Sequence, residues 1–372
     1  MTAISPVQLG SAALYGSAGL CLYLMLLNRS LFLLRDGMAK KPLVVFAFVA
    51  IVGGGIAAGL FLPATPWVLL PVTVLLLIAA GEMRRARIRR SCAGERPVDT
   101  VPHAVKLSSP VTTTDLVVHR YQVQHEKWQG ERLRLVHVTD LHVHPRLPVE
   151  YYRRVFQVAE EARADLALLT GDFLTKLEAL PILRQVLRPI ASKGTFAVLG
   201  NHDYWTDPEA VGRVVREAGI TLLTNRSERV TLGSREVMLT GYDYPWGTSA
   251  RSIPAAADGR LHLVLSHTPD NVYRLARSAA DFVFSGHNHA GQIRIPFLGP
   301  VVMPSVYGRR FDHGHFRVDG THLFVAGGVG AGDPPIRIYC RPDIFVVDIR
   351  DDRRGASITE GPFPGENSPA CG

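Results

Sequence analysis

Forty consecutive residues, from Pro42 to Gly81, carry no charged side chain. A helix needs about 20 apolar residues to cross a ~30 Å hydrocarbon core, so the run is long enough for two crossings. In its middle, Leu62-Pro63-Ala64-Thr65-Pro66-Trp67 reads as a tight turn with an interfacial Trp. A second uncharged span, Val7–Leu27, is 21 residues long. The pattern predicts three membrane helices, near 7–27, 42–62 and 66–81. A cleaved signal peptide would need a basic start and a small-residue cleavage site ahead of a soluble domain. The first eleven residues hold no Lys or Arg, and further apolar spans follow, so the segment reads as an anchor. Gly55 and Gly59 have the spacing of small-residue packing between such helices.

Charge assigns the sides. Residues 1–91 hold nine Lys/Arg and two acids, so +7 of the chain's formal +8 lies there and only about +1 falls on the remaining 281 residues. The basic excess therefore flanks the apolar spans and does not line a groove that tracks phosphates, which excludes a nucleic-acid partner. Arg29, Arg35, Lys40 and Lys41 follow the first span; Arg84, Arg85, Arg87, Arg89 and Arg90 follow the third. Positive-inside bias puts both clusters, and everything after Arg84, in the cytoplasm. Four cysteines (Cys21, Cys92, Cys340, Cys371) lie far apart without a CxxC pair, so a reducing compartment fits and a disulfide framework does not.

Beyond the anchor (1–91), residues 92–115, with Pro97, Pro102, Pro110 and the Thr112–Thr114 run, read as a linker. Residues 116–350 form the folded domain, and 351–372 are polar, Gly/Pro-bearing and aperiodic, the composition of a disordered tail. Short apolar runs bounded by turn residues predict strands at Leu133–Val138, Leu166–Thr170, Thr195–Leu199, Val237–Thr240, Leu261–Leu265, Phe282–Ser285, Leu323–Ala326 and Ile344–Ile349. Helices are predicted at Glu150–Arg163 and Pro208–Ala218, where Val211, Val214, Val215 and Ala218 recur at helical spacing. Strands alternating with helices argue an α/β layered domain.

Five short segments place metal-type side chains immediately after these strands: Asp140-Leu141-His142, Gly171-Asp172, Gly200-Asn201-His202-Asp203, Ser266-His267 and Gly286-His287-Asn288-His289. Residues just past the carboxyl ends of parallel strands converge on one crevice. Asp, Asn and His side chains packed together there would be mutually repulsive or unsatisfied; divalent cations would compensate them. Each segment alone is as well explained by a turn, but five in order, each after a hydrophobic run, are not.

That order resembles the calcineurin-like metallophosphoesterases over roughly residues 130–350. More narrowly, Ser285-Gly286-His287-Asn288-His289-Ala290-Gly291-Gln292, Ile295-Pro296-Phe297 and Ile336-Arg337-Ile338-Tyr339-Cys340-Arg341-Pro342 resemble the membrane-associated bacterial branch, which includes hydrolases of UDP-2,3-diacylglucosamine in lipid A synthesis. The branch's usual Gly-His-Thr-His-Gly-Gly-Gln reads here with Asn288 and Ala290, changes that spare both histidines. The resemblance implies a layered β-sandwich flanked by helices and two divalent metal ions. By motif, Asp140, His142 and His289 would hold one ion, Asn201, His267 and His287 the other, and Asp172 would bridge. Nitrogen and oxygen donors without thiolate suit Mn, Fe or Zn. The implied reaction is hydrolysis of a phosphoester or pyrophosphate by water activated between the ions, with His202 stabilising or protonating the leaving oxygen and Asp203 orienting it.

The anchor adds the setting: a multi-pass protein of a bacterial inner (cytoplasmic) membrane, its catalytic domain facing the cytoplasm. Its partners would be the bilayer and a phosphorylated lipid or nucleotide-sugar lipid. Arg146, Arg309 and Arg310 are candidate phosphate-binding residues, and Trp205, Tyr244, Trp246 and Tyr307 candidate walls. A general phosphodiesterase with another substrate is the alternative within the enzyme class. A non-catalytic metal-binding module would be marked by lost ligands, and none is lost. A protein whose helices do the main work would carry ionisable residues in its spans, and these carry none.

Overall fold

In the computed structural model, residues 4–27, 39–62, 68–101, 108–247, 253, 259–296 and 299–351 are described. The apolar N-terminal stretches form helices α1 (Pro6–Leu26), α2 (Lys40–Phe61, with a π turn at Val49–Gly53) and α3 (Leu69–Ser91). A capping box starts α1: Gln8 N donates to Ser5 Oγ at 3.3 Å and Ser5 N donates to Gln8 Oε1 at 2.9 Å. α1 and α2 approach closely at glycines. A Cβ on Gly59 would fall 2.5 Å from Ala12 Cα, and one on Gly55 2.8 Å from the Tyr15 carbonyl oxygen. Among the described residues, α1 and α2 have the length and composition to cross a membrane. The expected third helix near 66–81 is only the apolar first part of α3, which continues through the arginines to Ser91. Arg is a good helix former, and Arg89 Nε, 2.7 Å from Asp312 Oδ1, ties the end of α3 to the soluble domain. The expected turn at 63–67 lies outside the described residues.

The domain is built on two sheets. One has seven strands in the order β1 (Asp99–Val101), β2 (Val117–His125), β15 (Asp343–Asp351), β3 (Leu133–Val138), β4 (Leu166–Leu169), β5 (Thr195–Ala197) and β6 (Thr221–Leu222), with β3 to β6 parallel. The other has six: β13 (Gly314–Val318), β14 (Thr321–Val325), β10 (Phe282–Ser285), β9 (Leu261–Leu265), β8 (Arg235–Gly241) and β7 (Ser227–Leu232), with the four inner strands parallel. A small hairpin, β11 (Arg294–Ile295) with β12 (Gly299–Pro300), stands apart.

The two-residue period of a strand explains the layers. On β3, Leu133 and Leu135 point into a core shared with Leu263, Phe284 and Phe324 of the second sheet. Val136 and Val138 point the other way, against helices α4 (Val149–Glu161), α5 (Leu180–Val186) and α7 (Pro208–Glu217). The second sheet's outer face, with Val264, Val283 and Val325, packs on α8 (Val272–Arg277) and Phe311. The short α6 (Asn201–Thr206) carries part of the site. Both faces of each sheet are covered, so β4, β9, β10 and β14 are buried along their whole length and read as continuous apolar runs.

The segment expected to be a linker, 92–115, is stitched to the domain wherever it is described. Asp99–Val101 pairs with β2, Ala93 bridges Phe316, and Thr112 N donates to the Arg337 carbonyl at 2.9 Å. Its prolines hid this, because their spacing resembles a loop while the short strand between them pairs only with a distant partner. Asp351, expected to open the tail, is the last residue of β15; 352–372 lie outside the described residues.

One buried ion pair ties β3 to β15. Arg134 Nε and Nη2 donate to Asp348 Oδ1 and Oδ2 at 2.7 and 2.9 Å, with side chains 10% and 8% exposed. Removing one partner leaves the other charge buried and unpaired. Asp348→Ala should lower unfolding free energy by about 3–5 kcal/mol. The double change Arg134→Met with Asp348→Leu should recover most of the loss, as read by denaturant titration in detergent.

Candidate metal centre

The five segments singled out at strand ends come together at one end of the two sheets. Asp140 and His142 follow β3, Asp172 follows β4, and Asn201 and His202 follow β5. From the second sheet, His267 follows β9, and His287 and His289 follow β10. The strand ends of two packed sheets face one another here, in the layered arrangement that the resemblance implies. The turns are unusual. Asp140 (φ 50°), His142 (38°), Asp172 (53°), His287 (67°) and His289 (47°) all adopt the left-handed backbone that non-glycine residues avoid. Such conformations persist only where the surrounding structure enforces them, and they gather at functional sites.

Glycines in the segments make room for the carboxylates. A Cβ on Gly200 would fall 2.1 Å from Asp172 Oδ1, and one on Gly286 2.0 Å from Asp140 Oδ2. Asp140 is further fixed by Thr139 Oγ1 (2.8 Å) and by His287 N (3.0 Å), and Asp172 Oδ1 accepts from His202 N at 2.8 Å.

Two donor groups share Asp172. One is Asp140, His142, Asp172 and His289; the other is Asp172, His267 and His287. Within each group, one ligand atom per residue lies within 4.8 Å of all the others. Nε2 of His142 is 3.3 Å from Asp172 Oδ2, and Nε2 of His289 is 3.4 Å from Asp140 Oδ1. On the other side, His267 Nε2 is 3.2 Å from Asp172 Oδ2 and 3.0 Å from Asn201 Oδ1. His267 Nδ1 faces the Thr170 carbonyl at 2.6 Å, which accepts only, so Nδ1 carries a proton. In the neutral ring Nε2 is then a lone pair directed at two oxygen acceptors. His142 Nε2 and His287 Nε2 are buried without a hydrogen-bond partner. Unsatisfied imidazole lone pairs turned toward carboxylates are what divalent cations would satisfy, and the donor set fits them.

The protonation pattern agrees. Burial opposes charge on His267, but Asp172 and Asp140 outweigh it and raise the ring to about 9. Burial pushes His287 down to about 3, with the charge on His267 adding. Burial lifts Asp140 above the usual carboxylate range, whereas His267 and His202 overcome the burial of Asp172 and hold it well below. Without cations the nest keeps its positive charge as a proton on His267, and that proton must leave for the nitrogen to ligate a metal.

The remaining expected site residues divide. His202 lies on the cavity wall, its ring edge-on to His142 at 4.8 Å and 5.1 Å from Trp205. Asp203 does not orient it. Its Oδ1 accepts from Phe173 N (2.9 Å) and Leu174 N (3.3 Å) and its Oδ2 from Gly200 N (2.9 Å), so the carboxylate braces two ligand-bearing turns. Arg146, Arg309 and Arg310 are not among the residues lining the cavity. Arg146 is exposed, Arg309 lies against Gly299, and Arg310 donates to Tyr273 OH at 2.9 Å while covering Tyr307. Trp246 packs on His267 and His287 (5.6 and 5.1 Å), whereas Tyr244 stacks under Arg274.

Three contributors escaped the sequence reading. Lys40 and Lys41, with Val44 and Val45, come from α2 to line a cavity of about 750 Å³ that also holds Asp172, Asn201, His202, His287 and His289. Lys40 Nζ sits 5.6 Å over the Trp205 ring. Arg337, fully buried, donates to the carbonyls of Gly330 (2.7 Å), Gly327 (2.6 Å) and Gly328 (2.9 Å), and reaches His289 Nδ1 at 3.4 Å. It holds the loop that backs Asp140. A buried Arg solvated by carbonyls leaves no local pattern; the Ile-Arg-Ile-Tyr run was its only visible signal.

Residues 133–291 match the calcineurin-like phosphoesterase family. The matched stretch contains β3, β4, β5, β9 and β10, whose ends carry the converging donors. Among its relatives, the uncharacterised metallophosphoesterase YkuE of Bacillus subtilis (strain 168) is 26% identical over 67% of this chain and 87% of its own length. Phosphodiesterase YaeI of Escherichia coli (strain K12) is 28% identical over 62% of this chain and 87% of its own. A transmembrane protein with a metallophosphoesterase domain from Danio rerio is 28% identical over 59% of this chain and 53% of its own.

Because Gly286 touches Asp140, Gly286→Ala should displace that carboxylate by an ångström or more. Phosphoesterase turnover should then fall by about 10²-fold with the fold retained, checked by initial rates alongside circular dichroism.

Proposed function

We propose that this protein is a phosphoester hydrolase that acts at the face of a membrane on a phosphorylated amphiphile, a class that includes UDP-2,3-diacylglucosamine of lipid A synthesis. One observation carries the reading: the cavity over the metal-type cluster is walled on one side by the end of an apolar helix long enough to span a bilayer.

Asp140, His142, Asp172 and His289 would hold one divalent ion, and Asp172, Asn201, His267 and His287 a second. Bound there, manganese, iron or zinc supplies Lewis-acid polarisation of the phosphoryl group and a water of lowered pKa. The chain's own residues do the rest. Thr175 and the Thr170 carbonyl, through Nδ1 of His142 and His267, hold those rings in register. Lys40 and Lys41 at the cavity wall meet the negative charge of a phosphate. Val44, Val45 and Ile293 offer an apolar wall along which an acyl chain can lie. His202 protonates the leaving oxygen, the ring being kept in place by Trp205 and by its backbone bond to Asp172.

The placement of Lys40 and Lys41 supports the membrane arrangement. Lys40 and Lys41, which open α2, line the cavity of the catalytic domain, and positive-inside bias makes that end of the helix the cytoplasmic side of a bacterial inner membrane. A second reading, a general phosphodiesterase, is supported by the likeness to phosphodiesterase YaeI of Escherichia coli.

Full-length protein in detergent with Mn²⁺ should hydrolyse an activated phosphodiester and UDP-2,3-diacylglucosamine, and chelator should stop both. Activity on the diester alone would favour the second reading, and no activity above chelator on either would sink the enzyme reading. His202→Ala should keep its metal content while turnover drops by about 10²–10⁴-fold. Unchanged turnover would remove His202 from the reaction.

A further inference from the structure

Outside the cavity, a second set of donors converges. It joins His119 on β2, Asp343 at the start of β15, and His313 in the turn before β13. His313 Nε2 is 2.6 Å from Asp343 Oδ2, and His119 Nε2 is 4.0 Å from the same oxygen. One ligand atom from each residue lies within 4.8 Å of the other two. The rings stand edge-on to each other at 5.5 Å, and each meets Phe345, at 5.6 and 5.5 Å, which gives the group an apolar floor. Side-chain exposure is 16% for His119, 26% for His313 and 2% for Asp343, so the carboxylate is buried and the imidazoles open to solvent.

A plain His–Asp pair explains half of this. His313 and Asp343 make a short hydrogen bond, and that pair needs no third member. His119 is beyond hydrogen-bond reach of the carboxylate, yet its Nε2 is turned toward it. Its Nδ1 faces Thr100 Oγ1 at 2.9 Å, the outer-side hydrogen bond that orients a ligating imidazole. The other oxygen of Asp343 is likewise engaged, accepting from Gly327 N at 2.8 Å. Two imidazole nitrogens and one carboxylate oxygen, with the second polar atoms of His119 and Asp343 already engaged, match the three-ligand zinc sets that water completes.

We propose that His119, His313 and Asp343 form a further metal site, separate from the catalytic cluster, that takes a single Zn²⁺. Its place suggests what the ion would do. It would clamp β2, β15 and the turn before β13 behind the loop at Gly327 and Gly328. That loop is held by Arg337, and a Cβ on Gly328 would fall 2.5 Å from Asp140 Cβ. The ion's role is therefore to position the loop behind Asp140, without contact to substrate.

The test counts zinc. Full-length protein in detergent is equilibrated with Zn²⁺, dialysed, and its metal measured by mass spectrometry, for wild type and His119→Gln. This variant leaves the His313–Asp343 hydrogen bond untouched, so a simple ion pair predicts no change. The site predicts a loss of one zinc per chain. It also predicts that the increase in Tm on adding Zn²⁺ shrinks in His119→Gln and in His313→Gln alike. Equal zinc content in wild type and in folded His119→Gln would overturn the proposal. If His119→Gln does not fold, Thr100→Val tests the same orientation from outside the ligand set. The site predicts at least tenfold weaker zinc retention in Thr100→Val, and unchanged retention would overturn it.

Discussion

Asp172 is the point on which the catalytic end of the molecule turns. Its Oδ2 lies within 3.3 Å of imidazole nitrogens from both sheets, His142 and His267, while its Oδ1 holds the start of α6 through His202 N. Around it the orientation of donors is unfavourable unless positive charge enters. Two buried imidazole nitrogens have no partner, and a third faces only oxygen acceptors. The carboxylates of Asp172 and Asp140 raise His267 to about 9 against its burial, so positive charge is favoured there. Divalent cations held by these donors would remove the conflict.

The fold supplies what that arrangement requires. Parallel strands from two sheets end beside one another, and the endings of β3, β4 and β10 turn through left-handed residues that carry donors. Glycines let the backbones come within contact of the carboxylates, while Asp203 and Arg337 lock the turns from behind. The start of α2, a helix long and apolar enough to span a membrane, lines the cavity. The cavity thus joins a charged floor to an apolar flank, the feature on which the proposal of an amphiphilic phosphoester rests.

Much of this was legible in the chain because its signals are local. A buried strand, a glycine and a donor in immediate succession show in sequence as they do in space, so the strands and the seven converging residues could be read directly. What escaped depends on distant partners. The 92–115 segment reads as a linker because Pro97 and Pro110 dominate it, while its pairing with β2 leaves no local trace. In sequence Lys40 and Lys41 signal only topology, and their place on the cavity wall depends on how α2 packs against the domain. Arg146, Arg309 and Arg310 were chosen for residue type alone, and the fold turns all three elsewhere. Asp203, beside His202 in sequence, points away from that task because three backbone N–H groups claim both its oxygens. α3 outran its apolar stretch because arginine continues a helix as well as leucine does.

The central claim is that Asp172 is shared by two metal ions. Anomalous scattering from crystals of the full-length protein soaked in Mn²⁺, recorded where manganese scatters anomalously, tests it most directly. The account predicts two peaks, one among Asp140, His142, Asp172 and His289 and the other among Asp172, Asn201, His267 and His287. A single peak, or peaks that leave Asp172 out of either coordination sphere, would contradict it.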